Sequence, residues 1–412
     1  MVLLALLLLP DDIRADDLPV SPSTVADMLI EAGMVSKERF EEVDDRYVGP
    51  LLIGGQGEPG EDDLEGRGMS VLIYPGEAGG TAQIQFIVIP PWDNLGSRID
   101  AIAAIVSEVA GPTPEGPAFT ADDDPVRAAM SPGGQWLYGI MLESWLGWPG
   151  SPQRVVRVID GVAVIIEGVP PEIWGITIVP DAGYGDWTWP GMSPDTDSDE
   201  VKEARLAIRS GDYARAVELL EAAGERDEAA AGALMGDMYR LARIGPADQE
   251  EASDWYLIGG RHGYGPAIYG LAMMAKDGWG IVPMNNLRLP LLEDAKEAGM
   301  ADAVYVLSSQ PDGVFYMRPE GVSQIDQVHQ AAEWGLLAAQ LDLAERYATG
   351  NGVDADPVRA YAWASVALAN TDPGLDYIRA HQLEADIGSA LSDEQRDEAR
   401  SLAQELASSG AN

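Results

Sequence analysis

The sequence predicts a multi-domain chain: an N-terminal α+β domain with a mostly antiparallel sheet, then an all-α array of helical hairpins. Three observations carry this. Residues in the second half recur in phase at a step of 36, as at Ala231, Ala267, Ala303 and Ala339. Short β-rich runs separated by turn signals fill the first half. Between them lies DAGYGDWTWPGMSPDTDSD, rich in Gly, Pro, Asp and Ser. The boundaries that follow are an α+β domain over 22–180, a linker over 181–199 and helical repeats over 200–408.

The chain opens on MVLLALLLLPDDIRADD, whose apolar run from Val2 to Leu9 is too short to span a bilayer. It suits the apolar core of a secretory signal peptide over 1–15 with a cut after Ala15, although the basic start of such a signal is missing. Export to a periplasm or beyond follows from this reading; a buried N-terminal element of a cytoplasmic protein is the alternative.

In the α+β domain, Ser23 or Thr24 caps a short helix through Ala32, whose apolar side holds Val25, Met28, Leu29 and Ile30. Strands are expected at Tyr47 to Ile53, Met69 to Tyr74, Ala82 to Ile89, Trp136 to Leu142, Arg154 to Ile159, Val162 to Ile166 and Ile173 to Val179. Asp160-Gly161 reads as a type I′ hairpin turn, because both positions of that turn need positive φ. Ile99, Ile102, Ala103, Ile105, Val106 and Val109 mark an amphipathic helix between Asn94 and Val109.

After the linker, Val201 to Ser210 and Asp212 to Ala223 make a first hairpin that caps the array. The unit from Leu337 to Asn370 is the clearest repeat. Gly350 and Gly352 end its first helix, and Asp356-Pro357 starts its second. One column of the repeat is large and apolar (Met235, Leu271, Leu307, Leu343), and the next is small (Gly236, Ala272, Ser308, Ala344). A small residue lets two backbones approach while its large neighbour fills the groove. Trp255 and Trp363 lie three steps apart, and Gly263, Gly299 and Gly335 close the second helices. In the third unit PDGVF replaces the Gly-x-Gly turn, which predicts a distorted loop. Further helix over Pro373 to Ser389, and one begun by Ser392-Asp393-Glu394-Gln395, shield the far end.

The pattern Ala339, Leu343, Ala344, Tyr347, Gly350, Gly352, Val353, Ala360 and Trp363 resembles the Sel1-like repeat, a relative of the tetratricopeptide repeat, over about residues 200–408. The resemblance implies a right-handed α-solenoid that binds other proteins, and it implies no chemistry.

Charge and composition narrow the function further. The formal net charge is −42, with 68 acidic and 26 basic residues, and the surplus runs through both halves. Nucleic acid and anionic membranes would be repelled; salt or solubility adaptation and a cationic partner are the two readings of the acidity. The absence of cysteine rules out disulfides and thiolate sites. Gly55-Gln56-Gly57-Glu58-Pro59-Gly60 spells a dinucleotide fingerprint, but Pro59 and the carboxylates after it do not suit a phosphate-binding helix start. Asp195 to Asp199 imitates half a calcium loop, yet Glu200 stands where a Gly is needed, and capping by Ser198 or Asp199 explains it better. His262, His329 and His381 have no metal spacing. No catalytic residue, cofactor or metal is therefore predicted, and no transmembrane span.

The expected function is a non-enzymatic interaction scaffold of the bacterial cell envelope, holding a protein or peptide on the concave face. Asp237, Arg240, Asp342 and Arg346 are the candidate contacts, since the packing columns leave those positions outward. A second reading uses Trp136, Tyr138, Trp145 and Trp148 as a stacking surface for a carbohydrate or small ligand. An enzyme of unknown type in the first domain is a third. Ala231, Ala267, Ala303, Ala339, Leu271, Leu307, Leu343, Trp255 and Trp363 are assigned to packing between repeats.

Overall fold

The computed structural model describes residues 18, 22–31, 41–43, 46–51, 69–75, 81–88, 95–114, 125–145, 154–169, 173–181, 197–226, 228–277, 285–310, 316, 318–371 and 375–409. Seven strands form one antiparallel sheet: β1 (Glu41–Val43), β2 (Arg46–Leu51), β3 (Met69–Pro75), β4 (Thr81–Val88), β5 (Arg154–Ile159), β6 (Val162–Val169) and β7 (Ile173–Pro180), in the order β1-β2-β3-β4-β7-β6-β5. Alternation along the strands selects one apolar face. Phe86, Ile176 and Ile166 form one row across β4, β7 and β6, and Ile84, Ile178 and Val164 the next, all without exposed surface. Asp160 and Gly161 join β5 to β6 with φ of 44° and 80°, the expected primed turn.

Helices α1 (Pro22–Glu31), α2 (Leu95–Ala110), the short α3 (Pro125–Ala128) and α4 (Pro132–Trp145) belong to the same half, and α2 and α4 pack on the apolar face of the sheet. Here the structure corrects one expected strand. Trp136 to Leu142 lies inside α4, because Trp136, Leu137, Ile140 and Met141 are spaced for one helical face and all four are buried. Ser131 caps that helix through Gly134 N–H at 3.1 Å, Pro132 occupies its first turn, and Asp100 of α2 accepts both Ser131 N–H (2.9 Å) and Oγ–H (2.6 Å). The β-like composition of the segment misleads; its period does not.

Among the described residues the regular elements of the second half are all helices: α5 (Asp199–Ser210), α6 (Tyr213–Gly224), α7 (Ala229–Arg240), α8 (Gln249–Arg261), α9 (Gly265–Asp277), α10 (Asn285–Glu297), α11 (Ala301–Ser308), α12 (Gln324–Glu333), α13 (Leu337–Thr349), α14 (Pro357–Ala369), α15 (Leu375–Ser389) and α16 (Asp393–Ser409). The first helices α7, α9, α11 and α13 begin at residues 229, 265, 301 and 337, in strict 36-residue phase. Three of the second helices keep that phase at 249, 285 and 357, whereas α12 starts three residues late. The joints repeat too. Gly263, Gly299 and Gly335 have φ of 72°, 90° and 89°, and the residue after each donates its N–H back to Gly259, Ala295 and Ala331 at 3.0–3.2 Å.

The third unit departs from the length and phase of the others. Its first helix, α11, has only eight residues, and PDGVF lies outside the described residues. Arg318 satisfies carbonyls at the end of α11: it donates to those of Ser308 and Gln310 at 2.9 and 2.6 Å and to Gln327 Oε1 at 2.9 Å. At the far end Ser392 and Gln395 form the reciprocal cap expected of them. Near residue 198 the calcium-like acidic run is likewise a cap, with Ser198 Oγ accepting Val201 N–H at 3.2 Å.

The residues of the repeat columns are interior. Ala231, Ala267, Ala303 and Ala339 have no exposed surface, and Met235, Leu271, Leu307 and Leu343 are buried beside them. Helices α7 and α8 touch backbone to backbone: a Cβ on Gly232 would lie 2.6 Å from Gly259 N, and one on Gly259 would lie 2.7 Å from Ala229 O and 2.6 Å from Ala267 Cβ. Trp363 is 2 % exposed, whereas Trp255 is half-buried and fills the place where Gly224 has no side chain.

The two halves are joined by specific contacts. α5 runs against edge strand β5, which shields unpaired backbone groups there. Arg157 of β5 is fully buried; its Nε donates to Tyr213 Oη at 3.0 Å, and its guanidinium sits 5.7 Å from the centre of that ring. Arg209 pairs with Asp181 at the same junction. The proposed linker, apart from Asp181 and residues 197–199, lies outside the described residues.

Substitution at the glycine contact tests this packing. Gly259→Ala should lower the unfolding free energy by about 2 kcal/mol, because backbone cannot yield as a side chain can. Gly260→Ala, whose methyl meets the side-chain ends Leu271 Cδ1 at 3.2 Å and Ile268 Cγ1 at 3.8 Å, should be neutral or gain roughly 0.5 kcal/mol of helix propensity. Urea denaturation of both variants checks the contrast.

Candidate partner-binding face

The first helices carry two polar groupings, and they differ in kind. On α7, Asp237 and Arg240 lie one turn apart and meet Tyr256 of α8. Tyr256 O–H donates to Asp237 Oδ1 at 2.7 Å, Arg240 Nε donates to Tyr256 Oη at 3.1 Å, and Arg240 Nη2 donates to Asp237 Oδ1 at 2.9 Å. The ring fits between Gly236 and Gly270, where added Cβ atoms would lie 2.6 and 2.9 Å from it. Burial, followed by the Asp237 carboxylate, pushes the Tyr256 phenol well up, so it stays protonated as a donor. Arg240 is 4 % exposed. The expectation that it points outward is thus corrected: its apolar stem and guanidinium fill the joint between α7 and α8.

On α13, Asp342 and Arg346 are also one turn apart, with Arg346 Nε 2.8 Å from Asp342 Oδ1, but their side chains keep 22 % and 21 % of their surface exposed. Tyr305 of α11 lies beside them, its phenol pushed up to about 12 by burial first and the Asp342 carboxylate second. Arg379 of α15 pairs with the neighbouring Glu345 at 2.7 Å. Tyr305, Asp342 and Arg346 therefore form a partly exposed strip across two first helices, with donors, an acceptor and an aromatic ring offered together. Tyr305 carries no signal in the sequence because it belongs to neither packing column.

A third grouping joins α12 to the last repeat. His329 Nε2 lies 2.8 Å from Tyr347 Oη, and the imidazole meets Trp363 edge-on at 5.9 Å. The Arg359 guanidinium lies 5.7 Å from the centre of the Tyr347 ring. Burial, with some help from Arg359 and against Glu333 and Asp326, holds the imidazole below its usual range.

Of the aromatic stretch of the first half, the two residues whose side chains are described, Trp136 and Tyr138, lie in or against the core. Trp136 is 3 % exposed and packs in the core beside the α5–α6 joint, and Tyr138 is half-buried against the same core. Trp148 and the side chain of Trp145 lie outside the described residues. Among the described residues no group of three His, Cys, Asp or Glu side chains is placed to hold a metal ion.

The fold is an array of helical hairpins in 36-residue phase joined to an α+β domain. Among solved structures, 52 % of the chain is similar to a Sel1 repeat protein from Oxalobacter formigenes, at 22 % identity and a TM-score of 0.39, over 85 % of that protein. It is also similar, over 52 % of its length, to a protective antigen present in uropathogenic Escherichia coli strains that displays an SLR fold, at 22 % identity and a TM-score of 0.33; the match spans 54 % of that antigen. No family model and no curated protein matches the chain. The repeat class rests on the 36-residue phase of the chain's own hairpins and joints.

Two measurements separate structural polar groups from available ones. Arg240→Met should cost about 3 kcal/mol of stability, because it strands a buried carboxylate, and Arg346→Met less than about 1 kcal/mol; thermal denaturation reads both. The His329 pKa is lower in the folded state than the unfolded value of about 6.5. Its contribution to stability is present in full above about 6.5 and is lost as the pH falls through that value toward the folded one. His329→Gln should flatten the decline in melting temperature between about pH 7 and 5.

Proposed function

We propose that the protein is a non-enzymatic scaffold that holds a protein or peptide partner on the face built by the first helices of its repeats. The supporting observation is the Tyr305–Asp342–Arg346 strip. The packing columns leave it partly exposed, the array repeats its backbone on either side, and its ring and charged groups are of the kind that anchor interfaces. Asp237 can border the same face, whereas Arg240 contributes by holding α7 to α8. Activity of the scaffold in the cell envelope is part of the proposal, motivated by the apolar run Val2 to Leu9; among the described residues no helix is long and apolar enough to cross a membrane.

A photo-crosslinking amino acid at exposed Glu345, beside the strip, should capture a discrete partner that the same group at exposed Glu251 on α8 does not. The double variant Asp342→Ala, Arg346→Ala should abolish that crosslink without lowering the melting temperature by more than a few degrees. Equal capture from both positions would remove the first-helix face from the account.

A further inference from the structure

Where α14, α15 and α16 meet, at the far end of the array, there is a cleft of about 730 Å³, lined among others by Tyr361, Glu384, Asp393, Arg396, Asp397 and Arg400. Its charges are not equivalent. Arg396 pairs with Asp393 and donates its other Nη1–H to the Gly388 carbonyl at 3.0 Å, and Arg400 pairs with Asp397 at 3.3 Å. Each arginine is thus neutralised by the aspartate one turn before it on α16. Glu384 is different. Its carboxylate accepts the Ser365 hydroxyl from α14, which holds it in one orientation, and it is half-buried with no cation paired to it among the described residues.

Beside it lies Tyr361, 7 % exposed, whose ring is held by close contact with Gly388; a Cβ there would come within 2.7 Å of Tyr361 Cε2. An oriented carboxylate without a cation, next to a fixed aromatic ring in a cleft of this size, is a receptor for a cationic side chain. The carboxylate supplies a charge-assisted hydrogen bond and the ring supplies cation–π attraction. The net charge of −42 favours approach of a basic partner from any direction, and the cleft supplies what long-range attraction cannot, a place for the charge to end.

We propose that this cleft is a docking site for a basic segment of a protein partner, one Lys or Arg side chain of which ends on Glu384 against Tyr361. It goes beyond the first-helix reading: α14 is a second helix and α15 and α16 close the array, so the two sites stand or fall separately.

The test uses the full chain and a fluorescein-labelled, arginine-containing peptide, followed by anisotropy, with the same peptide carrying citrulline in place of arginine as the neutral control. Glu384→Gln keeps the shape and the Ser365 hydrogen bond and removes the charge. Glu394→Gln makes the same change in net charge at an exposed position on α16. The arginine peptide should bind Glu384→Gln about tenfold more weakly than wild type, the scale of one charge-assisted hydrogen bond, and Glu394→Gln within about twofold of wild type. Citrulline should bind wild type as weakly as arginine binds Glu384→Gln. An equal effect of the two variants would show attraction to the overall charge alone, and failure of wild type to distinguish arginine from citrulline would remove the site; either result overturns the proposal. Ser365→Ala, which releases the carboxylate without changing charge, should show an intermediate loss, and no loss at all would contradict the role given to orientation.

Discussion

Contact between neighbouring helices at positions with little or no side chain is the constraint on which the helical half depends. At Gly232 and Gly259 the α7 and α8 backbones meet without intervening atoms, and Ala267 closes the same point from α9. That approach brings Tyr256, Ala267 and Leu271 into one buried cluster, where each large apolar side chain removed from water contributes about 1.5–3 kcal/mol. The phase of the hairpins follows from it. A repeat that changed its small column would have to change its helix spacing, and the next repeat would no longer fit.

The same constraint sorts the polar residues. Where two helices press closely, as at α7 and α8, a polar group must be satisfied within the joint, and Arg240, Asp237 and Tyr256 satisfy one another there. Where the first helices are open, as at α11 and α13, Asp342 and Arg346 keep about a fifth of their side-chain surface in solvent. Position on the helix does not distinguish them, and the identity of the neighbour does. The irregular third unit obeys the same logic: α11 is short, and Arg318 satisfies carbonyls at its end.

Much of this was legible in the residues. Strict phase in Ala231 to Ala339, and Gly263, Gly299 and Gly335 after the second helices, located the hairpins because small and left-handed positions tolerate few alternatives. Asp160-Gly161 located the β5–β6 turn for the same reason. Trp136 to Leu142 was misread as a strand because β-like composition was weighed above spacing; Ser131-Pro132 and the pairs 136–137 and 140–141 already pointed to a helix. The candidate contacts were harder. Arg240 and Arg346 look alike in sequence, and only Tyr256, sixteen residues later in the chain, draws the first one inward. Glu384 could not be singled out among 68 acidic residues, since what distinguishes it is its place in a cleft beside Tyr361, held by the Ser365 hydroxyl from another helix.

The central claim is that the repeats are fastened through their small-residue contacts into one cooperative unit, leaving recognition to the residues between the columns. Native-state hydrogen exchange measures this directly. The account predicts that amides in the middle of α7, α8 and α9 exchange slowly and through one shared opening, with equal free energies and equal sensitivity to denaturant. Separate openings of α7 and α8, at free energies near those of isolated helices, would contradict it.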